Sequence, residues 1–170
     1  MYINDLENSL TSNESGITIL DVKLLLLLYA DDVVIFAESS TNLQNSIDRL
    51  YDYCTRWKLK INTSKSFILV FCKRRMYTFD NWKYGETVIP VSTHVKYLGL
   101  FFSSNGSPYQ MQFKLSQQAN KAVFNLHKKL FTYKTLPISV VIDLFEKFIT
   151  PILNYGREAW GFHSAPNRNV

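Results

Sequence analysis

Two short apolar runs on either side of an acidic pair constrain this fold more than any other feature. Residues 24–28 and 33–37 are the two runs, and Asp31 and Asp32 lie between them. Each run has the length of a buried strand and is too short for a stable isolated helix. Burying even an uncharged polar group without a partner costs about 2–7 kcal/mol, so the acids must reach solvent or a cation. The pattern therefore predicts a tight hairpin with Asp31 and Asp32 at its tip.

Charge is distributed unevenly along the chain. The formal net charge is +5, but residues 1–38 hold seven acids and one base, a balance of −6. Residues 39–170 hold eighteen bases and seven acids, a balance of +11. An acidic beginning before a basic remainder suits a cation site beside a polyanion track. The alternative interpretation is that these charged residues lie on ordinary solvent-exposed faces of the protein.

Cysteine usage and hydropathy indicate an intracellular protein of the nucleus or cytoplasm, neither secreted nor bound in a membrane. Cys54 and Cys72 lack metal-ligand spacing and are expected to be reduced thiols. The longest apolar stretch is interrupted by the two aspartates, so no segment is predicted to span a bilayer. The first residues show neither the basic region nor the apolar region of a signal peptide.

Hydrophobic periodicity over residues 1–60 predicts helices next to the hairpin. Residues 2–10 have helical spacing, and residues 17–20 and 22–28 are predicted to be extended, with a break near Asp21. A cluster of N-cap residues at 39–42 precedes an amphipathic helix of about four to five turns, with apolar positions at Leu43, Ile47, Leu50, Tyr51, Cys54 and Trp57. The arrangement predicts an α+β fold with one antiparallel sheet and helices packed on one face.

The remaining chain is predicted to be strand-rich to about residue 102 and helical from residue 109. Residues 66–72 and 95–102 each favour one strand, and a small hairpin is expected around residues 84–86. A long helix follows, and a second begins at Pro137 and kinks at Pro151. The only plausible boundary, at 103–108, divides the chain into domains 1–105 and 106–170.

Adjacent aspartates at a hairpin tip repel each other, and a divalent cation relieves that repulsion. Carboxylate oxygens suit Mg²⁺ or Mn²⁺, and Mg²⁺ keeps waters and accepts substrate phosphates as further ligands. Two such ions about 3.5–4 Å apart can activate a 3′-hydroxyl and stabilise a leaving pyrophosphate. That chemistry needs a further carboxylate, because neighbouring residues of an extended backbone point in different directions. The alternative is an ordinary solvated acidic turn.

Several basic residues are candidates for phosphate contacts. Lys65 follows a polar turn, and it could be a proton donor or a phosphate contact, or simply be solvated. The cluster Lys73, Arg74 and Arg75 could hold phosphates or protect an edge strand. Lysines recur every seven residues at Lys114, Lys121 and Lys128, which places them in one stripe on a helix. They could neutralise a nucleic-acid backbone or form the wet face of an amphipathic helix.

These motifs resemble the reverse transcriptases of non-LTR (LINE-type) retrotransposons, in the same order along the chain. Tyr29-Ala30-Asp31-Asp32 resembles their catalytic hairpin, and the stretch at residues 2–6 resembles the sequence that precedes it. The next palm motif is matched by Trp57-x-Leu59-x-Ile61-Asn62-x-x-Lys65-Ser66. The primer-grip strand is matched by Val95-Lys96-Tyr97-Leu98-Gly99. The end of the thumb is matched by Leu153-Asn154-Tyr155-Gly156-x-Glu158-x-Trp160-Gly161.

The resemblance implies an RNA-directed DNA polymerase that uses Mg²⁺ or Mn²⁺, an RNA template with a DNA primer, and dNTPs. Residues 1–105 would be the C-terminal part of the palm and residues 106–170 a helical thumb-like region. Asp31 and Asp32 would bind metal, and Lys65 would be the proton donor. The primer or nucleotide would lie against Tyr29, Ala30, Tyr97, Leu98 and Gly99. The nucleic-acid backbone would contact Lys73, Arg74, Arg75, Lys114, Lys121 and Lys128.

The chain also departs from that family, whose first catalytic aspartate and fingers lie upstream of the hairpin. Asp5 and Asp21 are the nearest substitute carboxylates, and neither stands in the matching motif. We therefore expect a fragment that is inactive alone and needs the missing N-terminal fingers and palm half. Two alternatives stay open. One is a non-catalytic nucleic-acid-binding remnant, and the other is a pseudogene product whose strand at 24–28 has an uncovered edge.

Overall fold

A computed structural model describes residues 5–11, 16–71, 81–130 and 137–160. It has the mixed helix and strand content that the sequence predicts. The chain divides into two compact units, residues 1–68 with 74–92 and residues 69–73 with 93–170. The elements of the first unit are α1 (Leu6–Leu10), β1 (Ile17–Ile19), β2 (Val22–Leu24), β3 (Leu26–Tyr29), β4 (Asp32–Ile35), α2 (Ser40–Arg56), a 3₁₀ turn (Thr63–Lys65), β5 (Lys83–Tyr84) and β6 (Thr87–Val88). Those of the second unit are β7 (His94–Tyr97), β8 (Leu100–Ser103), α3 (Tyr109–Leu130), α4 (Ile138–Phe148), α5 (Thr150–Leu153) and α6 (Arg157–Trp160).

The predicted acidic hairpin is present as β3 and β4. They pair antiparallel with a register that runs from Leu26 opposite Ile35 to Tyr29 opposite Asp32. The apolar run at 24–28 is not one strand, because Leu24 ends β2 and the buried Leu25 separates β2 from β3. β2 belongs to a preceding antiparallel hairpin with β1, in which Ile17 lies opposite Leu24. The chain therefore makes two hairpins in succession here.

The predicted amphipathic helix is α2, and its two ends explain its length. The Ser39 side chain accepts a hydrogen bond of 3.1 Å from the backbone N–H of Asn42, which caps the N-terminus. At the C-terminus, the Leu59 N–H donates to the Cys54 carbonyl at 2.8 Å, and Lys58 adopts a φ of +54°. This is a Schellman ending, with a lysine in the left-handed position that glycine usually occupies.

The core of the first unit lies between α1, α2 and the acidic hairpin. Its buried members are Leu6, Leu10, Leu25, Leu50, Tyr53 and Cys54. Partly buried apolar residues from the hairpin and from the segment after α2 pack against it, namely Leu26, Val33, Ile35, Leu59, Ile61 and Tyr84. The hairpin is thus anchored through one face while its tip projects from the core.

Three further predictions, two about strands and one about the sheet, differ from the structure. The expected strand 95–102 is a hairpin, because Leu98 and Gly99 both have positive φ values, 48° and 81°, and form the two-residue turn between β7 and β8. Within residues 66–71, only Ile68 forms a bridge, with Val91, and Cys72 lies outside the described residues. The described strands form four separate two-stranded sheets instead of one sheet.

The two long helices of the second unit lie where the sequence predicts them, but α4 has no buried residue. α3 buries Met111, Leu115 and Ala119. The expected kink at Pro151 is a break, since α4 ends at Phe148 and Pro151 lies in the first turn of α5. None of the helices in the described part of the chain is long and apolar enough to cross a membrane.

Candidate functional site

The acidic pair lies at the outermost point of the β3–β4 hairpin. Because Tyr29 is opposite Asp32, only Ala30 and Asp31 make the turn. Ala30 has a φ of +53°, a left-handed conformation that costs an L-residue about 1–2 kcal/mol. Both aspartates are exposed. The structure therefore confirms that the two carboxylates reach solvent at a tight turn.

The two faces of the hairpin have different surroundings. Directly opposite residues share a face, and successive residues alternate. Since Leu26, Val33 and Ile35 pack on the core, the other face carries Tyr29 and Asp32. The side chain of Tyr29 is 61% exposed. An aromatic ring and a carboxylate thus lie side by side on the face directed away from the helices.

A partly buried hydrogen bond at the edge of the core joins α1 to the helix that packs behind the hairpin. The Tyr53 hydroxyl donates to Oδ1 of Asp5 at 2.6 Å. This hydrogen bond, with burial and the negative charge of Asp5, raises the pKa of Tyr53 to about 12. Burial, followed by a hydrogen bond with Cys54, raises the pKa of Tyr84. Both tyrosines are therefore neutral at ordinary pH and act as parts of the core.

Neither proposed substitute carboxylate is placed at the acidic tip. Asp5 accepts the hydrogen bond from Tyr53, so it serves the core. Asp21 lies in the turn between β1 and β2, where it and Leu20 both have positive φ values. The two candidates are structural parts of other elements.

The carboxylates at the tip are the type of ligand that a hard divalent cation prefers, but two of them are too few to hold it alone. Asp31 and Asp32 offer carboxylate oxygens, the ligands that Mg²⁺ prefers. Within the ranges that the structure describes, no group of three or more histidine, cysteine, aspartate or glutamate side chains could hold a metal ion. A cation at this tip would thus need ligands from water, substrate or residues beyond the described ranges.

The other predicted site residues lie in other elements. Lys65 ends the 3₁₀ turn that follows α2, and it is exposed. Its backbone N–H donates to the Asn62 carbonyl at 3.1 Å, which fixes the turn. Lys73, Arg74 and Arg75 lie outside the described residues.

In the second unit, the turn at Leu98 and Gly99 is held by the motif at the end of the chain. The Tyr155 hydroxyl donates to the Leu98 carbonyl at 2.6 Å. A Cβ on Gly99 would lie 3.0 Å from the Tyr155 ring, so the ring packs directly against the Gly99 backbone. The motif at residues 95–99 and the motif that contains Tyr155, which the sequence analysis treated separately, are therefore in direct contact. Tyr155 is a residue that the sequence reasoning missed as a partner of this turn.

The lysine stripe is on the solvent side of α3. Lys114, Lys121 and Lys128 are all exposed, and they lie opposite or beside the buried face of Met111, Leu115 and Ala119. The helix from residue 109 to residue 130 contains no acid. The stripe therefore lies on the exposed part of the helix surface.

Comparison with known proteins adds a family match to this geometry. A family described as reverse transcriptase (RNA-dependent DNA polymerase) matches residues 1–102. The chain is also 26% identical over 148 residues to an uncharacterized transposon-derived protein of Caenorhabditis elegans. That alignment covers 85% of this chain and 51% of the other protein, so the chain spans about half the length of this relative. No solved structure gives a significant match.

Proposed function

This chain belongs to the reverse transcriptase (RNA-dependent DNA polymerase) family, and from that membership we propose that it is part of an RNA-directed DNA polymerase of a non-LTR retrotransposon. The observation that carries the proposal is the register of the acidic hairpin. It presents Asp31 and Asp32 together at an exposed turn, inside the range that the family match covers. In this proposal residues 1–105 are palm-like and residues 106–170 are thumb-like.

The roles of individual residues follow from their surroundings. Asp31 and Asp32 would hold Mg²⁺ or Mn²⁺, which supplies charge stabilisation for nucleotidyl transfer when bound. The Tyr29 ring lies on the same face as Asp32 and would border the primer end or the dNTP, with the Ala30 backbone beside it. Lys65, fixed by its 3₁₀ turn, would donate a proton to the departing pyrophosphate.

The second unit would hold the RNA template and DNA primer. The turn of Tyr97, Leu98 and Gly99 would contact the primer strand, and the hydrogen bond from the Tyr155 hydroxyl to the Leu98 carbonyl would help to hold it in place. Lys114, Lys121 and Lys128 would neutralise backbone phosphates, as would Lys73, Arg74 and Arg75. With two carboxylates at the tip, this segment alone is proposed to be inactive until another segment supplies a further carboxylate.

Metal binding at the tip can be tested without activity. In NMR spectra of the isotope-labelled chain, titrated Mn²⁺ should broaden the amide resonances of residues 30–32 selectively, and Mg²⁺ should reverse the effect. Asp31→Asn should abolish the broadening, because one carboxylate is a poor site. The matched control is Asp21→Asn, which removes the acid from the neighbouring β1–β2 turn and should leave the broadening unchanged. Broadening that is absent, or that survives Asp31→Asn, would contradict the metal role.

The activity assay is primer extension on an RNA template with dNTPs and Mg²⁺. The chain alone should give no incorporation above background. Incorporation that is detectable and lost in Asp31→Ala would confirm the residue's role while overturning the proposed inactivity. Incorporation that persists in Asp31→Ala would contradict the assignment of the site.

A second candidate function is a non-catalytic nucleic-acid-binding remnant, favoured by the +11 balance after residue 38. Its binding should weaken steeply with salt and be indifferent to Asp31→Asn. Metal-dependent binding of a primed template that Asp31→Asn abolishes would favour the polymerase over the remnant.

A further inference from the structure

The side of α3 that faces away from its packed side carries exposed aromatic rings. Met111, Leu115 and Ala119 form the buried side. At 100° per residue, Phe113 and Phe124 lie close to the opposite pole of the helix. Phe113 is 45% exposed and Phe124 is 68% exposed. The apolar packing of α3 therefore does not account for these two rings.

The spacing of the two rings places them on one line. They are eleven residues apart, which is about three turns, so their axial separation is about 16 Å. Tyr109 extends the line, because its ring stacks on Phe113 with centroids 6.1 Å apart and an interplanar angle of 13°. The side chain of Tyr109 is 64% exposed. Three exposed rings thus lie along one face of α3.

Lysines border these rings on one side. Lys114, Lys121 and Lys128 are exposed and lie within about 100° of the line of rings. No acid in α3 balances them. Positive charge beside exposed aromatic faces is the combination that single-stranded nucleic-acid sites use, since the backbone is anionic and every base has a face that can stack.

We propose that this exposed face of α3 binds single-stranded nucleic acid, with phosphates on the lysines and unpaired bases stacked on Phe113 and Phe124. A duplex satisfies the lysines but leaves the rings unused, because its bases are already stacked on one another. The proposal rests on the proposed function in one respect, since it uses the lysines that were assigned there to backbone phosphates, and it adds unpaired bases as ligands of the rings. It requires neither Asp31 nor Asp32, and α3 lies outside the range of the family match.

The test compares two oligonucleotides with the same phosphates. Fluorescence anisotropy would measure binding of the full chain to a twenty-nucleotide oligo(dT) and to a twenty-nucleotide abasic strand. The oligo(dT) should bind at least tenfold more tightly. The double variant Phe113→Ala/Phe124→Ala should remove most of that difference, because one stacked base contributes about 5- to 150-fold in affinity. Affinity for the abasic strand should be unchanged.

A matched control separates stacking from a general loss of apolar surface. The variant Phe67→Ala/Phe145→Ala removes two rings with similar exposure, 52% and 45%, from positions outside α3, and it should leave the preference for oligo(dT) intact. Equal affinity of the unmodified chain for oligo(dT) and the abasic strand would overturn the proposal. Competition by polyglutamate as strong as by oligo(dT) would also overturn it, in favour of an acidic protein partner. The Mn²⁺ titration and the primer-extension assay test the polymerase assignment without involving Phe113 or Phe124, so failure of that assignment would not be mistaken for failure here.

Discussion

Tyr53 connects the first helix to the helix that supports the acidic hairpin. Its hydroxyl donates to Asp5 across 48 residues of sequence, and its ring is 4% exposed. The pKa of about 12 means that the folded state holds the phenol proton more firmly than the unfolded chain, where the pKa is near 10. This hydrogen bond therefore makes stability depend on pH in the alkaline range.

The direction of that dependence follows from linkage. Because the folded pKa is raised, the contribution is fully present below pH 10 and is lost as pH rises from 10 through about 12. We expect the free energy of unfolding, measured with urea, to fall over this interval in the unmodified chain. In Tyr53→Phe it should be lower at pH 8 and fall less between pH 10 and 12, because the titrating phenol is absent.

The control for this prediction is Tyr29→Phe, which removes an exposed phenol from the same unit. It should preserve the full alkaline decline. An equal decline in Tyr53→Phe and in the unmodified chain would show that the Asp5 hydrogen bond does not cause it.

For single residues, the sequence predicted that the two aspartates are exposed, but it did not predict which side chains pair by hydrogen bonds. Asp31 and Asp32 could be placed because buried charges are costly and the flanking runs are apolar. The pairing of Tyr53 with Asp5 could not, since it joins positions that only the packing of α1 on α2 brings together. For the same reason, only the structure shows that Asp5 accepts a hydrogen bond from Tyr53.

Among the elements, the errors were a turn that was missed inside residues 95–102 and a strand expected at 66–72, where only Ile68 forms a bridge within the described residues. The acidic hairpin was predicted because its apolar runs are separated by polar residues. The β7–β8 hairpin was missed because Leu98 and Gly99 stand inside a run that is otherwise apolar, and Leu98 adopts a φ of +48° that leucine rarely has. The hydrogen bond from Tyr155 helps to hold this turn. No local sequence pattern predicts it, because the two residues are 57 positions apart.

Gly156, the residue after Tyr155, packs closely against β8. It has a φ of +64°, and a Cβ there would collide with the side chain of Leu100. Gly106 has a similar φ of +70° but no atom within 4 Å of the corresponding position. Gly106→Ala should cost about 1–2 kcal/mol through backbone strain alone. Gly156→Ala should cost about 1–3 kcal/mol more, through overpacking against β8.

Urea unfolding of the two variants would measure the difference. Equal losses would mean that Leu100 moves aside without cost and that the α5–α6 segment is loosely attached to the β7–β8 turn. A larger loss in Gly156→Ala would show that the two motifs fold as one structure.

For the complete fold, the sequence predicted the mixed helix and strand content and the basic helix, but it did not predict how the strands pair into sheets. The α+β content and the long basic helix follow from periodicity and from the absence of acids in residues 109–130. The single predicted sheet did not appear, because strand pairing between elements depends on which edges meet. Among the described strands, each pairs only with its neighbour in sequence.

The charge distribution leads to a prediction about nucleic-acid binding by the whole chain. If the three stripe lysines of α3 each neutralise one duplex phosphate, they release about 0.9 counterion apiece. Replacing Lys114, Lys121 and Lys128 with glutamine should make the slope of log affinity against log salt shallower by about 2.7 on a primer–template duplex. The triple variant Lys58→Gln/Lys60→Gln/Lys83→Gln removes the same charge from exposed positions in the other unit and should change the slope far less. Equal changes in the two variants would mean that net charge alone attracts the duplex. Because both variants have the same net charge, a difference between them can arise only from where the lysines lie, and so it would assign the polyanion contact to α3.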